Sequence, residues 1–466
     1  MSAKAEPMPS AAPVPDWLGP LRAEALEIFR AGVRAADPEL AVARALRLED
    51  GVLEILLEPG REAGDIRRGP WTKVHLIAFG KAAPAMAKAA LRIIPADLLA
   101  GEPIVVTNHE NATQDVPFPV MAAGHPLPDA GGLAGARAVA ASAQGAVAGE
   151  LVLVLVSGGG SALLPYPPER ISLEDKIATT ELLLASGADI TQINTVRKHL
   201  SVLKGGGLAR LASPAEVHAL ILSDVLGDDL SAIASGPTSP DPTSFSDAVS
   251  ILRSFGVWDR TPDSVRSYLD DGCRGLVDET PKPGDSLFAK AGSTLVGSNA
   301  VSLAAAEAAA ASSGRPLRVH PEALAGEARE EAEKLALLAG EAMTAQPGGR
   351  SAYLCGGETT VTLRGAGQGG RNQEMALAFA LAAERHGLPK RWVFLSGGTD
   401  GRDGPTDAAG GLVDPWSLER MRAAGEDPGV RLEDNDSHRA LESSGDLLRT
   451  GATGTNVADL QIVLVE

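Results

Sequence analysis

The stretch LVLVLVSGGGSALLPYP, residues 151–167, constrains the fold more than any other part of the chain. Its unbroken Leu/Val run reads as a strand buried on both faces, which belongs in a mostly parallel sheet with helices on each side. Gly158, Gly159 and Gly160, flanked by Ser157 and Ser161, then leave the strand end without side chains, so backbone amides can approach an anion such as phosphate. A tight strand exit needing positive φ would use the same glycines, and other loops must decide between the two.

At 466 residues the chain is long for one core, so two domains with a cleft between them are expected. The polar, Pro-rich text from Phe255 to Ser286 marks the junction, giving an N-terminal domain over 1–285 and a C-terminal domain over 286–466, with residues 1–16 as a frayed tail. Forty-two basic against sixty acidic residues leave a net charge of −18, which disfavours nucleic acid and acidic membrane surfaces as partners. An anionic substrate then needs a local basic island. Two cysteines, Cys273 and Cys355, without CxxC spacing fit a reducing compartment, here the cytoplasm. No signal-peptide core or membrane-length apolar run is present.

In VHLIAFGKAAPAMAKAALRII a strand is followed by Gly80, Lys81 and an Ala-rich helix. A Walker A loop is excluded, because His75 stands where its first glycine belongs and Ala82 where Ser or Thr belongs. Lys81 nevertheless sits at a strand's carboxyl end, where open α/β sheets bind ligands. His125 and Asp129, in HPLPDAGG, read as structural or substrate-adjacent, with Asp129 a helix cap. Arg197, Lys198 and Lys204 form a basic island ahead of three glycines, and Asp224, Asp228 and Asp229 follow the apolar run HALIL.

The C-terminal half carries a rival signal. Gly365, Gly367 and Gly370 have GxGxxG spacing between a strand-like ETTVTLR and a helix, as in a dinucleotide-binding turn, with Asp400 as its ribose acid. Arg371 at the helix start would meet an anion directly. Asp400, Asp403 and Asp407 lack EF-hand spacing but suit magnesium held partly by substrate phosphates.

Eight segments in order, FGKAAPAMA, GHPLPDAGG, LVLVLVSGGGSALLPYP, NTVRKHLSVLKGGGLA, LSDVLGDDLSAIASGPTSPD, LCGGETTVTLRGAGQGGRNQEMALA, FLSGGTDGRDGPTDAAGG and TGATGTNVADL, resemble the glycerate 2-kinases with a C-terminal MOFRL domain, a family also labelled hydroxypyruvate reductase. The resemblance covers almost everything beyond residue 70. It implies two three-layer α/β/α domains, the first Rossmann-like and the second the MOFRL domain, with the active-site cleft between them. It also implies transfer of phosphate from ATP, with Mg2+, to the 2-hydroxyl of D-glycerate. The family's catalytic lysine and arginine fall on Lys81 and Arg371. Beside them we assign residues Ser157 to Ser161, Arg197, Lys204, Gly369 and Gly370 to phosphate or the substrate carboxylate. Asp224 is assigned to the hydroxyl proton, and Asp229 and Asp400 to the metal. A homo-oligomer is compatible with this reading. An NAD(P)H-dependent hydroxypyruvate reductase and a non-catalytic nucleotide-binding protein are the alternatives.

Overall fold

A computed structural model describes residues 15–59, 64–113, 115–345 and 348–466; most of the tail expected over 1–16 lies outside the described residues. The chain packs as two compact units, one comprising residues 33–302 with 453–458, the other the chain up to Gly32 with 303–452 and 459–466.

In the unit of residues 33–302 the helix Pro38–Ala45 leads into a small antiparallel sheet of β1 (Leu46–Glu49), β2 (Val52–Leu56) and β3 (Ile66–Arg68). Its main sheet contains β4 (Val74–Phe79), β5 (Ile104–Asn108), β6 (Met121–Ala123), β7 (Leu151–Val156), β8 (Glu216–Leu222) and β9 (Ala291–Gly297), all parallel, in the order β6-β5-β4-β7-β8-β9. The run at 151–156 is the doubly buried strand its composition implies. Leu151, Leu153 and Leu155 point into one core with Met86, Ala87 and Ala90 of the helix Ala83–Ile93. Val152, Val154 and Val156 point into the other with Ala136, Val139 and Ala143 of the helix Ala130–Gln144. Alternation along one strand thus makes three layers, helix on sheet on helix.

A third cluster, with Leu183, Ile193, Val196, Phe245, Leu252 and Leu269 at its centre, joins the helices Leu173–Ala185, Ile190–His199, Phe245–Ser254 and Asp263–Cys273 into a helical insertion. Ser172 caps the first of these, accepting from the amide of Asp175. Strand pairing carries this sheet past the junction expected at 285/286. β9 is hydrogen-bonded along β8, which would otherwise present an open edge.

The other unit holds a mixed sheet in the order β10-β11-β15-β12-β13-β14, from β10 (Leu317–Val319), β11 (Ser351–Gly357), β12 (Trp392–Gly398), β13 (Gly410–Val413), β14 (Leu447–Leu448) and β15 (Asp459–Val465). Only the β10–β11 pairing is parallel. The helices Ala328–Ala345 and Arg371–Arg385 bury Ala336, Ala339, Met375 and Phe379 against Tyr353, Trp392, Phe394 and Val463. Most of the helix Leu18–Ala35 also belongs here. Its Glu24 pairs with Arg315, its Arg22 with Asp414 and Asp446, and its Phe29 ring approaches Gly397.

Candidate active site

Numbered in chain order, the parallel sheet runs 3-2-1-4-5-6, so strand order reverses between β4 and β7. Ligands of open α/β sheets bind beyond the carboxyl ends of the strands at such a switch point. The residues found there are Gly80 and Lys81 after β4, and Ser157 to Ser161 after β7. The two strand exits are tied together by bonds from Lys81 N to Gly158 O at 2.9 Å and from Ala82 N to Ser157 Oγ at 3.0 Å. Ser157 is buried and its hydroxyl serves the helix start at Ala82. That places it beneath the loop as support.

Gly80 has φ +120°, and a Cβ there would lie 2.2 Å from Ser157 Oγ. Gly80→Ala is therefore expected to cost about 1–3 kcal/mol through backbone strain and overlap, read from the urea midpoint. An unchanged midpoint would contradict this close approach.

Lys81 lies with its Cε 3.5 Å from the Cβ position of Gly159, and His125 borders the same glycine. Among the described residues no carboxylate or other hydrogen-bond acceptor meets Lys81 Nζ; its carbonyl is held by Thr107 and Asn111. Partial burial, and then the charge of Lys81, push His125 below the ordinary imidazole range. The imidazole thus sits beside an ammonium that meets no carboxylate among the described residues. Asp129, four residues further on, is the expected cap, accepting from Gly132 N at 2.8 Å and from His109.

The third strand exit meets the same loop. A Cβ on Gly158 would lie 2.3 Å from Asp224 Oδ2, so the glycine makes room for that carboxylate. Gly159, in the left-handed region at φ +83°, turns the chain into the short helix Gly160–Leu163, whose first amides have no partner within the helix. Gly160 packs against Phe79 and Ala234.

Lys204 reaches the far side of the loop, donating to Ser161 O at 2.7 Å and Ser161 Oγ at 3.1 Å. Ser161 Oγ in turn meets Ser235 Oγ, which donates to Asn194. Ala234 and Ser235 both have positive φ, strain of the kind concentrated at functional sites. Arg197, also from the basic island, stands near Lys204. So does Lys176, which sequence reasoning passed over. Lys198 is paired with buried Asp241 and is structural.

Asp229 spends its carboxylate on the amide and hydroxyl of Ser231. Asp400 accepts from Arg402 N. Among the described residues no group of three or more His, Cys, Asp or Glu side chains is gathered to hold a metal. The assigned metal positions therefore do not make a protein cage.

In the other unit Arg371 opens the helix Arg371–Arg385. Its Nε and Nη2 donate to Asp459 at 2.6 and 2.9 Å, and its Nη1 pairs with exposed Glu358 at 2.7 Å. Burial works against its charge, but these carboxylates hold its pKa above the ordinary value. The helix start expected to face phosphate faces Asp403 instead, which accepts from the amides of Asn372 and Gln373 at 3.1 and 2.8 Å. A carboxylate at a helix N-terminus needs no further anion.

The glycine pattern has a packing cause. Cβ atoms on Gly365, Gly367, Gly369 and Gly370 would strike Asp434, Asp436, Ser437 and Asp403. Residues 358–370 separate β11 from the helix, and ETTVTLR forms no strand, only a bridge from Thr360 to Glu327. A dinucleotide turn would join strand and helix directly.

Residues 24–270 match the domain of unknown function DUF4147, and residues 351–459 match the MOFRL family. The glycerate 2-kinase of Pyrococcus horikoshii is 39% identical over 96% of this chain and 97% of its own length. The chain belongs to the glycerate kinase family. The human glycerate kinase is 36% identical over 96% of this chain and 93% of its own. The crystal structure of a glycerate kinase from Thermotoga maritima superposes with a TM-score of 0.83 at 38% identity, covering 96% of this chain and all of that one. Glycerate kinase membership extends through both units, and with it the two-domain α/β architecture expected from the sequence.

Proposed function

We propose that the protein phosphorylates the 2-hydroxyl of D-glycerate with ATP, giving 2-phosphoglycerate and ADP. The observation that carries this reading is the juxtaposition of Lys81, whose ammonium meets no acceptor among the described residues, with the glycine loop at the sheet's switch point, in a chain related over nearly its whole length to glycerate kinases. Phosphoryl transfer asks a protein mainly to position its reactants and to neutralise charge developing on the transferred group. Lys81 supplies the charge beside the amides of residues 159–161. In this reading Asp224, whose carboxylate lies over Gly158, takes the hydroxyl proton. The second cation of this reading is Arg371, which keeps two nitrogens on Asp459 and its Nη1 on exposed Glu358.

ATP enters as its magnesium complex, with the metal ligated mostly by phosphates and water, since the described residues gather no cluster for it. Exhaustive EDTA treatment is expected to abolish turnover and added Mg2+ to restore it. Full turnover in EDTA would overturn this.

With the glycines of residues 365–370 explained by packing, nothing in the geometry favours nicotinamide chemistry. Incubation with hydroxypyruvate and NADH should leave NADH unconsumed, while ATP, Mg2+ and D-glycerate should yield ADP; the opposite pair of outcomes would revive the reductase. No helix among the described residues is long and apolar enough to cross a membrane. The two unpaired cysteines support work in the reducing cytoplasm.

A further inference from the structure

Lys176 is 5% exposed and Lys204 3% exposed, and partly buried Arg197 lies close enough to both to repel them. Lys176 Nζ is turned onto the carbonyls of Leu200 and Arg197, and Lys204 Nζ onto Ser161. No carboxylate among the described residues pairs with any of these cations, and the Arg197 guanidinium has no hydrogen-bond partner among them. Burying like charges without a counterion costs several kcal/mol per ion, unlike the balanced Lys198–Asp241 pair nearby. Burial, and secondarily Arg197, bring Lys176 down to about 7, and burial with both neighbours holds Lys204 well below its ordinary value.

The cluster is therefore built for an oxyanion that the protein itself does not supply. Ser161 connects it directly to the loop bordered by Lys81. A 2-hydroxy acid carries its carboxylate on the carbon bearing the reacting hydroxyl, so a carboxylate held beside Ser161 keeps that hydroxyl at the loop. The free guanidinium fork of Arg197 matches the two oxygens of a carboxylate.

We propose that Lys176, with Arg197 and Lys204, forms the subsite for the acceptor's carboxylate, and that Lys176 is a specificity-determining residue for 2-hydroxy acids over neutral polyols. This rests on the kinase reading, so binding and turnover are measured separately. Calorimetry on the full chain should show D-glycerate binding to wild type while glycerol does not bind. Lys176→Met should weaken D-glycerate binding and raise its KM at least tenfold, leave the KM for ATP within twofold, and raise the melting temperature of the ligand-free protein by relieving charge repulsion. Arg197→Gln should give the same KM split, and decides the matter if Lys176→Met fails to fold. Wild-type binding without turnover would sink the kinase reading and leave the subsite standing. D-glycerate affinity unchanged in the folded variants would overturn the subsite; a rise confined to the KM for ATP would make a phosphate its occupant and overturn the carboxylate assignment.

Discussion

Lys81→Ala is expected to lower kcat by on the order of a hundredfold or more, by analogy with removal of a single oxyanion donor. The magnitude follows from where the ammonium stands. It borders the Gly159 turn at the switch point of the sheet, and no acceptor among the described residues occupies it. A cation without a partner in the resting protein is available to charge that grows on the transferred group, so its loss falls on the transition state more than on substrate binding. The KM values should move little by comparison. Lys81→Arg should recover only part of the rate, because a planar fork does not replace a compact point charge beside a packed glycine turn. The side chain is only partly buried, so the melting temperature should stay near wild type. Near-normal kcat in the folded alanine variant would return Lys81 to an ordinary surface lysine.

The other large effect is on stability. Asp459 is fully buried, and burial pushes its carboxyl up to about 6 even with Arg371 opposing. Arg371→Ala strands that carboxylate without its bidentate partner, a loss of about 3–5 kcal/mol for breaking a buried pair. Because Arg371 is itself about one-third exposed, with side-chain exposure of 32%, the lower end of that range is expected. Arg371→Lys should restore less than half, since one ammonium cannot span both Asp459 oxygens. Adding Asp459→Asn to the alanine variant should recover part of the loss by removing the stranded charge. The deficit should also shrink as pH falls towards about 6, because loss of Arg371 raises the stranded carboxyl's pKa above its wild-type value and a proton on Asp459 removes the need for a cation. The sign follows because this folded-state pKa lies above the unfolded one, so acid favours the folded variant. Urea unfolding at pH 8 and pH 5 reads both effects, and a deficit under 1 kcal/mol at pH 8 would contradict them.

What the sequence disclosed was local. The alternation in LVLVLV, the glycines behind it and the lysine after VHLIAFG are contiguous signals, and each lies at the strand end its text implies. Residues whose partners are remote were not legible. Lys176 looks like a solvated charge in LEDKIATTELLLA, and only packing against the helix Ile190–His199 buries it. Asp403 caps a helix that starts thirty-two residues earlier in the chain, at Arg371. Asp459 reads as the polar start of a closing strand until Arg371 is seen on it. The GxGxxG spacing misled for the same reason. Spacing alone cannot tell a glycine that admits pyrophosphate from one that admits Asp434 or Asp436. The helix Leu18–Ala35, first among the described residues, joins the unit of the last strands through ion pairs that no local pattern announces.

The most direct test of the account is the identity of the product, read by phosphorus NMR after incubation of the full chain with ATP, Mg2+ and D-glycerate. One 2-phosphoglycerate is expected for every ADP formed, with Lys81→Ala producing neither at a comparable rate. Phosphate appearing on the 3-hydroxyl, or ADP formed with inorganic phosphate and no phosphorylated acid, would contradict it.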